Sequence, residues 1–170
     1  SVLAFSARVV KSTETVVKEN IVYVGQEKAP YTGVVESYGD NGVLAGKAEF
    51  KDGKMNGASK IYYPNGKLAS EASFKDNIQV GVQKDYYENG KVKREETYVD
   101  GKANGPAKSF YENGKVEYET NFKNSQREGI EKAYSKTWIL LSEVPFKDDN
   151  ATGLVKLYNE QTGKLEYETN

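Results

Sequence analysis

The sequence predicts an all-β fold, an elongated single-layer antiparallel β-meander or solenoid of tandem 24-residue β-hairpins, and three observations carry that prediction. Gly33, Gly57, Gly81, Gly105, Gly129 and Gly153 recur every 24 residues. An aromatic stands five positions after each of them, at Tyr38, Tyr62, Tyr86, Phe110, Tyr134 and Tyr158. A turn signal then follows, as Asn41-Gly42, Asn65-Gly66, Asn89-Gly90 and Asn113-Gly114, with Thr162-Gly163 one residue late. A second aromatic closes the units at Phe50, Phe74, Tyr98, Phe122 and Phe146. A fixed period of this length marks a repeat architecture in which each unit buries its faces against its neighbours.

Each unit reads as a hairpin and a return turn. Asn-Gly between alternating segments favours a tight hairpin because both residues tolerate positive φ. Lys51-Asp52-Gly53-Lys54 and Val99-Asp100-Gly101-Lys102 supply a second turn of the same chemistry. No window carries helical apolar spacing, so no helix longer than one turn is expected. Parity places Leu68, Ser70, Ala72 and Phe74 on one face. Bringing Tyr62 onto that face needs an odd loop, Pro64-Asn65-Gly66, with Gly66 left-handed as a bulge. A two-residue loop would instead set Lys60 opposite Glu71 and Lys84 opposite Glu95. Burial of the Tyr–Leu–Phe stripe outweighs exposed ion pairs of about 0.2–1 kcal/mol, which favours the odd loop. The glycine opening each unit is expected to let a neighbouring ring lie flat on the backbone and to relax the preceding turn.

Residues 1–20 form an N-terminal segment outside the array, and residues 21–170 form the array itself. Val9-Val10 and Val16-Val17 are β-prone, and Ile21-Val22-Tyr23-Val24 is expected to add a strand. The segment's natural role is to cap an open sheet edge. Ser1 to Ala7 read like the end of an apolar run, with small residues at Ala4 and Ser6 as before a signal-peptidase site. Export to the periplasm, cell surface or medium is therefore favoured over a cytoplasmic location. At the other end Glu166-Tyr167-Glu168-Thr169-Asn170 repeats Glu117-Tyr118-Glu119-Thr120-Asn121. Nothing caps that edge, so self-association through the C-terminal strand is expected.

Charge and composition narrow the function. The 24 basic and 25 acidic residues leave a net charge of only -1, with no positive excess to draw in nucleic acid or anionic lipid. No Cys or His occurs, which removes thiol and imidazole nucleophiles, histidine bases and Cys–His zinc sites. No segment approaches the roughly 20 apolar residues of a spanning helix. Asp148-Asp149-Asn150-Ala151-Thr152-Gly153 resembles half a calcium loop, but its twelfth position is Asn159 where a bidentate Glu is needed. Glu71, Glu95, Glu119 and Glu143 are a repeat apart and form a row, not the paired carboxylates of a glycosidase. No catalytic residue, cofactor site or metal site is expected, and the chain is read as not an enzyme.

The runs Tyr62-Tyr63-Pro64-Asn65-Gly66-Lys67-Leu68, Tyr86-Tyr87-Glu88-Asn89-Gly90-Lys91-Val92 and Phe110-Tyr111-Glu112-Asn113-Gly114-Lys115-Val116 resemble the bacterial MORN-repeat variant. So do Lys51-Asp52-Gly53-Lys54-Met55-Asn56-Gly57, Val99-Asp100-Gly101-Lys102-Ala103-Asn104-Gly105 and the opening Pro30-Tyr31-Thr32-Gly33. The resemblance runs from about residue 21 to the end. It implies a hairpin scaffold, and through YwqK-type antitoxins it implies binding and neutralising a partner protein. MORN repeats also accompany phosphatidylinositol-phosphate kinases. This chain has no Gly-rich phosphate loop and no kinase catalytic motif, so a kinase label would reflect the repeats alone.

Departures from the repeat are the candidate sites. The fifth unit replaces Asn-Gly with Thr137-Trp138 and continues Ile139-Leu140-Leu141, an apolar cluster at a hairpin tip that should be wet. It reads as a surface for a partner or for self-association; the alternative is a distorted hairpin or a tip packed on the N-terminal segment. Tyr63, Tyr87 and Tyr111 recur on the face opposite Tyr62, Tyr86 and Phe110. That row lines a groove for peptide or carbohydrate, or else stabilises an uncovered sheet by stacking along the ladder. The leading expectation is a non-catalytic scaffold that binds a partner protein through a sheet face or the fifth unit, as an adaptor or antitoxin. The alternative is an exported envelope or surface protein that binds glycan, peptidoglycan or lipid.

Overall fold

The computed structural model describes residues 8–169. The signal-like stretch Ser1 to Ala7 lies outside them. The chain divides into two compact units, residues 1–80 and 81–170.

In the first unit, β1 (Val9–Lys11) is followed by a one-turn 3-10 helix (Ser12–Glu14), β2 (Thr15–Lys18) and β3 (Ile21–Val24). Then come β4 (Gly33–Tyr38), β5 (Leu44–Lys51), β6 (Lys54–Tyr62) and β7 (Leu68–Lys75). Strands β4 to β7 pair antiparallel in chain order, and β1 joins the free edge of β4 in parallel. The edge cap expected of the N-terminal segment is thus supplied by Val9–Lys11. Ile21–Val24 is a strand, as expected, but pairs with β2 in a separate two-stranded sheet. That hairpin is tied to the return turn of the array, where Val22 N–H donates to the Gly53 carbonyl at 2.8 Å and Gly53 N–H to that of Tyr31 at 2.7 Å. Val10, Val24 and Tyr31 are buried against Val22, Val35 and Phe50, a small core over one face of the sheet. The Tyr31 hydroxyl donates to the Arg8 carbonyl at 2.5 Å, so its polar end is satisfied while its ring is removed from water.

The second unit is a meander from β8 (Ile78–Tyr86) through β9 (Val92–Val99), β10 (Lys102–Phe110) and β11 (Val116–Lys123). It continues with the two-residue β12 (Gln126–Arg127), then β13 (Gly129–Tyr134) and β14 (Leu140–Lys147). The two-residue β15 (Asn150–Ala151), β16 (Val155–Tyr158) and β17 (Leu165–Thr169) complete it. Every residue of β17 is exposed. No α-helix occurs among the described residues, and none of their helices is long and apolar enough to cross a membrane.

The hairpin register resolves the loop question in an unexpected way. Tyr63 N–H donates to the Lys67 carbonyl and Gly66 N–H to that of Tyr63, each at 2.8 Å, with Gly66 at φ +80°. The loop is therefore the odd one, Pro64-Asn65-Gly66, and Tyr62 lies opposite Leu68. Yet Ile61 lies opposite Ser70 and Lys60 opposite Glu71. Ala69 is an extra residue, a β-bulge that shifts the register by one just beyond the loop. Both pairings treated as alternatives are present together. The face assignment needs correcting for the same reason: Leu68 and Ser70 face neighbouring residues of one strand, so they lie on opposite sides of the sheet. The same shift recurs in the other hairpins, which leaves Ala45, Lys93, Glu117, Leu141 and Glu166 as the extra residues.

With the bulge in place, charged residues align across strands. In the second unit Lys84, Glu95, Lys108, Glu119, Lys132, Glu143, Lys156 and Glu168 each lie directly opposite the next. Ion pairs of 3.1–3.4 Å bridge Lys84–Glu95, Lys108–Glu119 and Lys132–Glu143. The recurring glutamates expected as a solvated row are thus half of an alternating ladder, the favourable cross-strand arrangement.

The opening glycines do not serve chiefly to seat rings. A Cβ on Gly33 would strike Tyr31, but one on Gly57 would strike the Glu49 side chain, and one on Gly105 would come 3.4 Å from Thr97. Gly57 and Gly105 share φ +118°, outside the reach of L-residues, so the backbone conformation is the requirement.

Candidate functional site

The fifth hairpin keeps the backbone of its neighbours without their turn residues. In the fourth, Tyr111 N–H donates to the Lys115 carbonyl at 2.9 Å and Gly114 N–H to that of Tyr111 at 2.8 Å. In the fifth, Ser135 N–H donates to Ile139 and Trp138 N–H to Ser135, both at 2.8 Å. Trp138 thus occupies the left-handed position, at φ +70° where Gly114 has +87°. The Asn113 carboxamide caps the regular turn by accepting from Lys115 N–H at 2.9 Å. In the fifth turn the buried Ser135 hydroxyl takes over, accepting from Ile139 N–H at 3.1 Å and lying 2.8 Å from the Thr137 hydroxyl.

Of the four apolar tip residues, Trp138 alone is exposed, at 63 %. Its indole stacks on Tyr134, with ring centroids 6.2 Å apart and planes 25° apart. Ile139, Leu140 and Leu141 are half-buried. Ile139 leans toward the turn at Gly163, Leu140 lies opposite Tyr134, and Leu141 is the bulged residue. Tyr134 donates to Glu119 at 2.6 Å; burial first, and that bond second, push its hydroxyl up to about 12. Glu119 is held below the ordinary carboxylate range, mainly by the Tyr134 hydroxyl and then by Lys108.

The tyrosine row is anchored at its hydroxyl ends. Tyr87 donates to the Phe110 carbonyl at 2.6 Å and Tyr111 to the Tyr134 carbonyl at 2.8 Å, so each ring bridges to the next hairpin. Tyr87 and Tyr111 line an open cavity of about 600 Å³ with Glu112, Asn113, Glu117 and Lys136. Lys93 lies over the Tyr87 ring and Lys136 over that of Tyr111, each ammonium 5.8 Å from the ring centroid. Both hydroxyls are raised, first by burial and then by Glu117. Tyr63 belongs to the first unit, where it lines a recess of about 320 Å³ with Tyr62, Pro64, Val43 and Leu44 among others.

The candidate residues therefore fall into three places: Tyr63 in its own unit, Tyr87 with Tyr111 in a groove, and Trp138 at an exposed tip. Sequence reasoning missed Lys93, Glu112, Glu117 and Lys136. A signal existed for two of them: Lys93 and Glu117 stand where earlier hairpins have Ala45 and Ala69.

Asp149, from the calcium-like stretch, is committed to Arg127, whose backbone N–H donates to it at 2.8 Å and whose Nε lies 3.2 Å away. Its carboxyl is accordingly lowered, first by the backbone bond. The described residues contain no metal-ready group of three or more acids.

No curated protein matches the chain. The MORN repeat variant matches at residues 31–52, 55–76, 79–100 and 103–124, in the phase of the hairpins. The hairpins that carry Trp138 and Gly163 lie beyond those segments but keep the strand register and the bulge. Four tandem matches covering just over half of its length show that the chain belongs to the MORN repeat variant family, whose repeats are non-catalytic and serve as binding scaffolds.

Proposed function

We propose that this scaffold holds a partner protein at the tip of its fifth hairpin, in an antitoxin-like or adaptor role. One observation carries the reading: Trp138 stands exposed in a left-handed conformation where the regular hairpins have glycine. An L-residue there costs roughly 1–2 kcal/mol, and exposure of an indole gains nothing for the isolated chain. Strain of this kind gathers at sites of recognition, and Trp is the residue most enriched at binding hot spots. Tyr134 holds the indole by stacking, which reduces the order that must be gained on binding.

The test is photo-crosslinking in cells from a probe placed at position 138, compared with capture by wild-type chain and by Trp138→Gly. The expected result is a protein that crosslinks at position 138, is captured by wild type and is lost with Trp138→Gly, while the variant melts no lower than wild type. Equal capture by both chains would sink the reading.

A further inference from the structure

We propose that the Tyr87–Tyr111 groove is a binding site for a short, uncharged, extended β-linked oligosaccharide, distinct from the Trp138 tip. The two tyrosines stand at equivalent positions of adjacent hairpins, two strand steps apart, which puts them about 10 Å from each other. Alternate sugar rings of an extended β-linked chain, the first and the third, can be laid over a row of that spacing. The hydroxyls already donate to the carbonyls of Phe110 and Tyr134. What the side chains offer a ligand is therefore their rings, held in place before it arrives, with the Lys93 and Lys136 ammoniums over them as groups a sugar would displace or contact. A preset aromatic platform suits the apolar C–H face of a pyranose and avoids the cost of ordering a loop.

The groove's polar groups fit the same ligand. Glu112 and Glu117 provide carboxylate acceptors for sugar hydroxyls, and Lys136 provides an ammonium donor within the same cavity. Lys93 adds a second ammonium above Tyr87. Two carboxylates and one ammonium line the cavity, with the Lys93 ammonium beside it over Tyr87, so the charge lies near balance and an anionic ligand is not drawn in. Its volume of about 600 Å³ falls in the range of small-molecule sites. An extended peptide is less well served. Strands β8 to β11 are paired within the sheet, so the groove offers no free strand edge to satisfy a peptide backbone.

Titration of the full chain with tetramers of β-1,4-linked glucose and of β-1,4-linked N-acetylglucosamine, read by calorimetry and by tyrosine ring NMR signals, tests the proposal. Binding of at least one tetramer is expected, with the Tyr87 and Tyr111 signals shifting. Tyr111→Ala and Glu117→Gln should each weaken it by about tenfold, whereas Trp138→Gly should leave it unchanged. If Tyr111→Ala fails to fold, the exposed Lys136→Ala and Glu112→Gln serve in its place, with a weakening of at least about threefold expected of the pair. No heat and no ring shift with either tetramer would overturn the proposal. So would binding that Trp138→Gly abolishes, or a groove that takes unstructured peptides and refuses both sugars.

Discussion

The fourth and fifth hairpins follow the same backbone path with different residues at its tightest point. Gly114 turns the fourth and Trp138 the fifth, yet the hydrogen bonds that close the two loops agree to within 0.1 Å. Both hairpins carry the bulge at the same step, at Glu117 and at Leu141. The register is therefore dictated by the strands and their bulge. The turn residues set only the cost of that path, and in the fifth hairpin that cost is accepted in exchange for an indole on the surface.

The sharpest way to break this comparison is to alter a glycine that the path cannot spare. Gly105→Val places a branched side chain at φ +118° beside Thr97 and should cost about 3 kcal/mol in urea unfolding. A loss below about 1 kcal/mol would show that the opening glycines are replaceable, as the turn glycine evidently is. Exchanging the two tips comes next. Gly114→Trp should destabilise by about 1–2 kcal/mol, the penalty of a left-handed L-residue. Trp138→Gly should stabilise by less, under about 1 kcal/mol, because the stacking on Tyr134 is lost with the indole. Melting curves of the two variants that move in the same direction would refute the equivalence of the loops.

Two smaller effects sharpen the contrast at the position after each aromatic. Tyr111 bridges forward to the Tyr134 carbonyl, whereas Ser135 at the matching position turns back on its own loop. Tyr111→Phe should therefore cost about 1 kcal/mol, the net worth of one hydrogen bond, with Ser135→Ala unsettling only the fifth turn, as amide exchange would report. Tyr134 supplies the pH test. Its hydroxyl is raised from 10.0 to about 12, so the stability this adds is whole below pH 10 and is lost as pH rises through about 12. Tyr134→Phe should flatten the alkaline decline of the melting temperature over that window. An unchanged decline would mean that other groups carry it. Glu119, lowered in the fold, acts in the opposite limb: its contribution is present above the ordinary carboxylate value and is lost as pH falls through the lowered one.

The repeat, the hairpins, the odd loop and the lack of an α-helix among the described residues were legible because the strand and turn signals recur at fixed spacing. The bulge was not. One unpaired residue per hairpin leaves no trace in composition, and parity read straight through it assigns half a strand to the wrong face. For the same reason the Lys60–Glu71 pairing looked incompatible with the Tyr62–Leu68 pairing. The tip was legible through Thr137-Trp138 and the tyrosine row through its period. Their surroundings were hidden, because Lys136 reaches the groove from the next hairpin and Glu117 sits on the bulge.

Each hairpin thereby owns one residue whose side chain is excused from the alternation of the strands. Alanine, lysine, glutamate and leucine all occupy it in this chain, at Ala45, Ala69, Lys93, Glu117 and Leu141. Changes there leave the charged ladder untouched while altering what the surface displays. The array carries, at each step, one position that cross-strand pairing leaves unconstrained.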